Sequence, residues 1–112
     1  MWAKLDDSMP DDPDVDRLSH GAFRLYVSGI CHCAKHLTDG LIDQDRVARL
    51  IPAYRPAFAA ELVAAGLWTP VPDGGYLVRS YLKYNPARDW WQEERRKAAE
   101  RKAKWRAEHA SK

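Results

Sequence analysis

The stretch PAFAAELVAAGLWTPVPDGGYLVRSYL, residues 56–82, decides the fold, because a helix pattern in it runs directly into a hairpin pattern. Pro56 suits the first position of a helix, which is predicted over about residues 56–65. The apolar residues of its inner face recur three or four apart: Phe58, Leu62 and Ala65. Gly66 stands where a left-handed residue ends a helix, and Leu67 is expected to pack back on it.

The rest of the stretch predicts two strands joined by a tight turn. Residues 67–71 form the first arm, Asp73-Gly74-Gly75 the turn, and residues 76–82 the second arm. Pro70 and Pro72 have no backbone N–H to donate to a neighbouring strand. The first arm is therefore expected to lie at the edge of a sheet or to pair only partly.

Upstream, the pattern predicts a long helix and a short strand. Ser19 is a good N-cap for a helix over about residues 20–36, and Gly40 can take positive φ in the turn after it. Leu41-Ile42 is long enough for a short strand. The core-facing stripe of the helix consists of Leu18, Ala22, Tyr26, Ile30, Cys33 and Leu37, widened by Phe23, Val27 and Ala34.

A second, shorter helix and the two chain ends complete the pattern. Asp43 can cap a helix over about residues 44–51, whose inward residues are Val47, Leu50 and Ile51. Residues 2–5 are compatible with a short strand, and residues 6–17, rich in Asp and Pro, with a loop. A final helix is predicted over about residues 87–109.

This order of helix, short strand, two helices and hairpin predicts a winged helix-turn-helix. The fold class is mainly α with a small antiparallel β-wing, in a domain of residues 1–85. Residues 86–112 are expected to form a long basic C-terminal helix that follows this domain.

Charge is distributed unevenly along the chain. Residues 1–85 hold 9 Lys and Arg against 11 Asp and Glu, whereas residues 86–112 hold 9 against 5. Three interpretations of the basic helix stay open: it lies along DNA phosphates, it pairs with a second copy through the seam of Trp91, Ala98 and Trp105, or it is a solvated tail. Trp90 and Trp91 are expected to pack back on the domain, with Trp105 farther out. The pairs Glu93–Lys97 and Glu100–Lys104 are expected to support the helix.

Several classes of function find no support in the sequence. No apolar run approaches the ~18 residues of a membrane span, and the first residues lack the apolar stretch of a secretory signal. Cys31 and Cys33, with His32 and His36, suggest zinc, but side chains two apart on a helix diverge by about 200°, so no metal site is predicted. We expect no cofactor, no small-molecule substrate, no membrane contact and no enzymatic activity.

Five segments carry a family resemblance: MWAKLDD (1–7), LSHGAFRLYVSGICHC (18–33), LTDGLI (37–42), LVAAGLW (62–68) and GGYLVRSYLKYNP (74–86). In this order they resemble the small helix-turn-helix DNA-binding and replication-initiation proteins of actinobacterial phages and prophages. They are also similar to the N-terminal winged-helix domains of phage replisome organisers. The resemblance covers nearly the whole chain. It implies a nucleic-acid-binding role in the host bacterial cytoplasm, without catalysis.

In such a fold the third helix normally enters the major groove of DNA. Its expected outward residues are Ala57, Ala60, Glu61 and Ala64, three methyl groups and an anion, whereas base reading favours Arg, Lys, Asn or Gln. Phosphate contacts are therefore expected from residues around that helix: Arg46, Arg49, Tyr54, Arg55, Arg79 and Lys83. The final helix adds Arg88, Arg95, Arg96, Lys97 and Arg101, with Lys102, Lys104 and Arg106 beyond them.

Two functional hypotheses follow. The first is a protein that binds double-stranded DNA in replication initiation or transcriptional regulation, mainly through phosphates. The second is a protein–protein interaction adaptor on the same fold, because an alanine-rich helix face suits a protein groove. A homodimer through the third helix or the C-terminal helix is compatible with either.

Overall fold

The N-terminal segment contains turns but no strand. The computed structural model describes residues 2–79, 81 and 88–110, with Arg88 described by its backbone alone. The strand predicted for residues 2–5 is wrong, because these residues adopt no strand conformation, and Trp2 is 71% exposed.

The predicted loop 6–17 is also more ordered than expected. It holds a 3-10 turn, Met9–Asp11, and one helical turn, α1 (Pro13–Asp16). Asp12 caps α1, since its carboxylate accepts a hydrogen bond from the backbone N–H of Asp14 at 2.8 Å. Val15 is buried and joins this turn to the core.

The long helix α2 spans His20–His36, as predicted. The side chain of Ser19 accepts from the backbone N–H of Ala22 at 3.2 Å, which satisfies one of the free donors of the first turn. Leu37 ends the helix in the left-handed conformation at φ 54°, and Gly40 follows at φ 91°.

The buried face of α2 differs from the predicted stripe at its N-terminal half. Leu25 is fully buried although it was not assigned to the stripe, whereas Phe23, assigned to it, is 37% exposed. The two residues lie on opposite flanks of the line through Ala22 and Tyr26, and the core covers the Leu25 flank. Cys33 is buried as expected, but Cys31 is exposed.

Strand β1 (Leu41–Ile42) leads into α3 (Gln44–Val47), which is half the predicted length. Asp43 occupies the N-cap position without a side-chain hydrogen bond. Bonds from Arg49 N to Arg46 O and from Leu50 N to Val47 O replace the α pattern with i→i+3 turns. Val47 and Ile51 are nevertheless buried, as predicted.

Helix α4 spans Pro56–Ala64, and Gly66 follows it in the left-handed region at φ 76°. The backbone N–H of Leu67 donates to the carbonyl of Leu62 at 2.9 Å, and both side chains are fully buried. This return contact, expected from the Gly66-Leu67 pair, fixes the entry into the hairpin.

The hairpin consists of β2 (Trp68–Pro70) and β3 (Tyr76–Val78), both shorter than the predicted arms. The three antiparallel strands lie in the order β1-β3-β2, so Pro70 is on an edge strand, as expected. Thr69 pairs with Leu77, and Leu41 pairs with Leu77 from the other side.

A core between α2, α4 and the sheet holds the domain together. Trp68, Leu25, Ile42 and Leu62 are among its fully buried side chains. Gly29 lets the sheet approach α2, because a Cβ there would meet Ile42 at 3.0 Å and Trp68 at 3.1 Å. The element order and sheet topology are those of a winged helix-turn-helix.

The long C-terminal helix α5 spans Arg88–Ala110. Of its residues 89–110, Trp91 and Glu94 are half-buried and the others are exposed. The expectation that Trp90 packs back on the domain is wrong, since its side chain is 49% exposed. In the part of the chain that the structure describes, no helix combines the length and the apolar character that crossing a membrane requires.

Candidate nucleic-acid interface

The outer face of α4 is a row of methyl groups. Ala57, Ala60 and Ala64 are exposed, whereas Ala59 and Leu62 on the opposite face are buried. Methyl groups offer van der Waals contact with a thymine methyl but no hydrogen bond to a base edge. This face can therefore lie against a groove, but it carries little capacity to select a sequence.

Glu61, predicted to face DNA beside these alanines, joins two helices instead. Its Oε1 accepts from the backbone N–H of Ser19 at 3.0 Å, and its Oε2 accepts from the Ser19 hydroxyl at 2.7 Å. These bonds, the backbone one first, lower the pKa of Glu61 below its ordinary value. The carboxylate thus ties α4 to the start of α2.

Three arginines on the helix-turn-helix are exposed. Arg46 lies on α3, Arg49 in the turn that follows, and Arg55 at the N-cap of α4. Among residues 2–79, 81 and 88–110, no carboxylate lies within 4 Å of their charged groups. Arg55 adopts extended backbone and makes no side-chain cap bond, which leaves its guanidinium free at the positive end of the helix dipole.

Tyr54 and His32 border these arginines. Tyr54 is half-buried, and burial raises the pKa of its hydroxyl. Burial lowers the pKa of His32, and the neighbouring charges of His36 and Arg46 lower it further. Arg46 is therefore near enough for its charge to act on His32. Sequence reasoning missed this neighbour, because the spacing of His32 and His36 was considered only for metal binding.

Arg79, predicted as a phosphate contact, is held by the N-terminal segment. Its Nη2 lies 3.2 Å from the carboxylate of Asp12 and its Nη1 3.0 Å from that of Asp14. The three side chains are 33–41% exposed, so solvent screens the pairs. The guanidinium is nonetheless compensated by two negative charges, unlike that of Arg55.

The wing tip, residues 71–75, folds back on the domain. Gly74 has φ 89° and lies against the side chain of Gln44 at the start of α3. Gly75 abuts the carbonyl of Ile42, where any side chain would collide. Asp73 is exposed at the tip, so the wing presents a short, negatively charged surface.

The cations of α5 divide into a paired group and an unpaired group. Arg96 pairs with Glu93 and Glu100, and Lys97 lies 3.7 Å from Glu94. The expected pairs Glu93–Lys97 and Glu100–Lys104 are therefore replaced by others. Among the described residues, those without a carboxylate within 4 Å are Arg95, Arg101, Lys102, Lys104 and Arg106.

Three of the unpaired cations line up along the helix. At about 100° per residue, Arg95, Lys102 and Arg106 fall within about 40° of one another around the axis of α5. We call these three residues the cation stripe. Lys83, also predicted as a DNA contact, lies outside the described residues, as does the side chain of Arg88.

Helix α5 also carries aromatic rings. Trp105 is 59% exposed, and its ring stacks on that of His109 with the ring centroids 4.2 Å apart. Trp90 and Trp91 pack edge to face at 4.9 Å. Exposed indoles next to guanidinium groups form an amphipathic surface on a helix that is otherwise polar.

The Cys–His segment of α2 divides between surface and core. Cys33 is buried, its Sγ lies 3.7 Å from the carbonyl of Leu41, and burial raises the pKa of its thiol. Cys31 is exposed on a different side of the helix. Within the part of the chain that the structure describes, no three metal-ligating side chains come together. Comparison of the chain with protein-family models, with curated proteins and with solved structures finds no match.

Proposed function

We propose that this chain is a winged helix-turn-helix protein that binds double-stranded DNA mainly through phosphate contacts, without enzymatic activity or a cofactor. Its resemblance to phage and prophage proteins favours a role in replication initiation or transcriptional regulation in the bacterial cytoplasm. The cation stripe on α5 carries the proposal. Arg95, Lys102 and Arg106 are exposed and, among the described residues, have no carboxylate within 4 Å, whereas Arg96 and Lys97 on the same helix are paired with carboxylates.

The proposed binding mode uses two surfaces. Helices α3 and α4 dock against a groove of the DNA. A phosphate at the start of α4 contacts both Arg55 and the backbone N–H groups at that end of the helix. Arg46 and Arg49 contact neighbouring phosphates, while the cation stripe adds affinity along the backbone. Glu61 and Arg79 support the fold rather than the contact, because both are engaged within the domain.

Low sequence specificity follows from this mode. The exposed residues Ala57, Ala60 and Ala64 present no donor or acceptor, so few base edges are read directly. We therefore expect the affinities for unrelated duplexes to lie within about tenfold of one another, since each well-read base is worth about 1–3 kcal/mol.

Fluorescence anisotropy with a labelled duplex tests the proposal. The variant with Arg46, Arg49 and Arg55 changed to alanine is expected to lose affinity by about tenfold or more at low salt, because three phosphate contacts are removed. Arg24→Ala, an exposed arginine on α2, serves as the control and is expected to bind like the original chain. Absence of duplex binding at low salt would overturn the proposal.

An adaptor that binds another protein is the second candidate. The methyl face of α4 favours it, because an uncharged helix face fits a protein groove without any desolvation of cations. If this candidate is correct, the chain is expected to capture one stoichiometric protein partner from an extract that has been treated with nuclease. Its capture would be lost on changing Ala60 to a lysine and retained when Arg49 and Arg55 become alanine.

A further inference from the structure

A cavity of about 370 Å3 opens between the N-terminal segment and the core, within the size range of ligand pockets. Its floor is largely apolar and is formed by the buried residues Val15, Tyr26, Ile30, Val78 and Tyr81, of which the two tyrosines also carry a hydroxyl group. Its rim carries Asp6, Asp11 and Asp12 against Lys4 and Arg79.

The carboxylates around the rim differ in whether a cation lies close to them. Arg79 already faces two carboxylates, whereas the exposed Asp11 has no cation within 4 Å among the described residues. An apolar floor beneath an unpaired carboxylate suits an apolar group that brings a positive charge with it. A large aromatic ring with a guanidinium or an ammonium group beside it would fit this cavity.

Helix α5 of the same chain carries such a group. Trp105 is 59% exposed, and Arg101, one turn before it, has no carboxylate within 4 Å in the described part of the chain. Arg101 lies about 40° from Trp105 around the helix axis, on the side away from the cation stripe. Trp105 and Arg101 can thus face one surface while the stripe faces another.

We propose that Trp105 of one copy of the chain docks in this cavity of a second copy, with Arg101 against the acidic rim, and that the exchange is reciprocal. In a two-fold symmetric dimer both contacts form at once, so neither copy keeps an unoccupied cavity that could bind a third copy. Charge complementarity selects a second copy as the occupant, because residues 1–16 hold six Asp and one Lys whereas residues 86–112 hold 9 Lys and Arg against 5 Asp and Glu.

Sedimentation equilibrium of the full chain without nucleic acid tests this inference separately from DNA binding. A dimer is expected that weakens as salt increases. Trp105→Ala and Asp11→Lys are each expected to raise the dissociation constant by about tenfold or more, as for a buried interface anchor. Both residues are exposed in the single chain, so circular dichroism is expected to show an unchanged fold. Trp90→Ala, an exposed indole on the same helix, is the matched control and is expected to leave the constant unchanged.

Mixing the two variants gives the sharper test. The Trp105→Ala chain keeps its cavity and the Asp11→Lys chain keeps its indole, so the mixture recovers one of the two contacts. The mixture is therefore expected to form heterodimers more tightly than either variant forms homodimers. A monomer at all concentrations would overturn the inference. So would a dimer that responds to Trp105→Ala but not to Asp11→Lys, which is the behaviour of pairing between two α5 helices.

Discussion

Single residues decide which charges of this molecule are available to a partner. Glu61 uses both carboxylate oxygens on Ser19, and Arg79 uses two nitrogens on Asp12 and Asp14. Arg55, only six positions before Glu61, has no such partner among the described residues. Residue type alone therefore does not separate a structural charge from a binding charge, whereas the hydrogen bonds of each side chain do.

Removal of the contact between Glu61 and Ser19 is expected to destabilise the domain. Glu61→Gln should lower the free energy of unfolding by about 1 kcal/mol, because a charged acceptor is replaced by a neutral one at an exposed site. The folded-state pKa of Glu61 lies below its ordinary value of 4.5, so its stabilisation is present above that pH. It is lost as pH falls through the folded-state pKa. Urea unfolding as a function of pH measures this, and an equal loss at every pH would contradict the assignment.

Leu25 and Phe23 provide a test of which flank of α2 faces the core. Leu25→Ala should cost about 2–5 kcal/mol, because a fully buried side chain is replaced by a cavity. Phe23→Ala is the matched control and should cost less, since the ring is 37% exposed. Thermal unfolding of the two variants compares them directly. A larger loss for Phe23→Ala would mean that the packing of this helix is misassigned.

Arg79 is expected to matter little for DNA. Arg79→Ala should lower the free energy of unfolding by about 1 kcal/mol or less, since its ion pairs are partly exposed. Duplex affinity should change less than it does for Arg55→Ala, because the charge removed is already compensated. Anisotropy titration of both variants checks this. A greater loss of affinity for Arg79→Ala would assign a direct phosphate contact to it.

At the scale of elements, the agreement between sequence and structure follows the local signals. The bounds of α2 were predictable because Ser19 and the turn at Gly40 mark its ends within the chain itself. The length of α3 was not, because the chain changes to i→i+3 turns after Val47 although the inward residues Val47 and Ile51 are both buried as the helical pattern predicts. Arg79 donates hydrogen bonds to Asp14 and Asp12, which lie 65 and 67 positions away in the sequence. Because the partners are so far apart, no local sequence pattern predicts these bonds.

Within α5, paired and unpaired cations should behave differently. Arg96→Gln removes a residue that bridges Glu93 and Glu100, so circular dichroism should show reduced helicity while duplex affinity changes little. Lys102→Gln removes the same charge from the cation stripe, so affinity should fall while helicity is retained. The two variants are controls for each other. The reverse assignment of effects would refute the division of the α5 cations into a paired and an unpaired group.

At the scale of the whole molecule, the proposed function rests on two surfaces, the row of methyl groups on α4 and the exposed basic helix α5. Together they favour recognition of a polyanion by its charge more than by its sequence. The candidate interface was predictable in its cations, since Arg46, Arg49, Arg55 and Arg95 are exposed as expected. Its exceptions, Glu61 and Arg79, arise from contacts between distant segments that only the folded chain creates.

The most direct test of this account is the salt dependence of duplex binding. The original chain is compared with a variant in which Arg95, Lys102 and Arg106 are glutamine, and with a control of equal net charge in which Arg17, Arg24 and Arg96 are glutamine. At about −0.9 per phosphate neutralised, the stripe variant should show a log–log slope shallower by about 2.7, and the control should keep the slope of the original chain. Equal slopes for all three proteins would contradict the claim that the cation stripe binds phosphates.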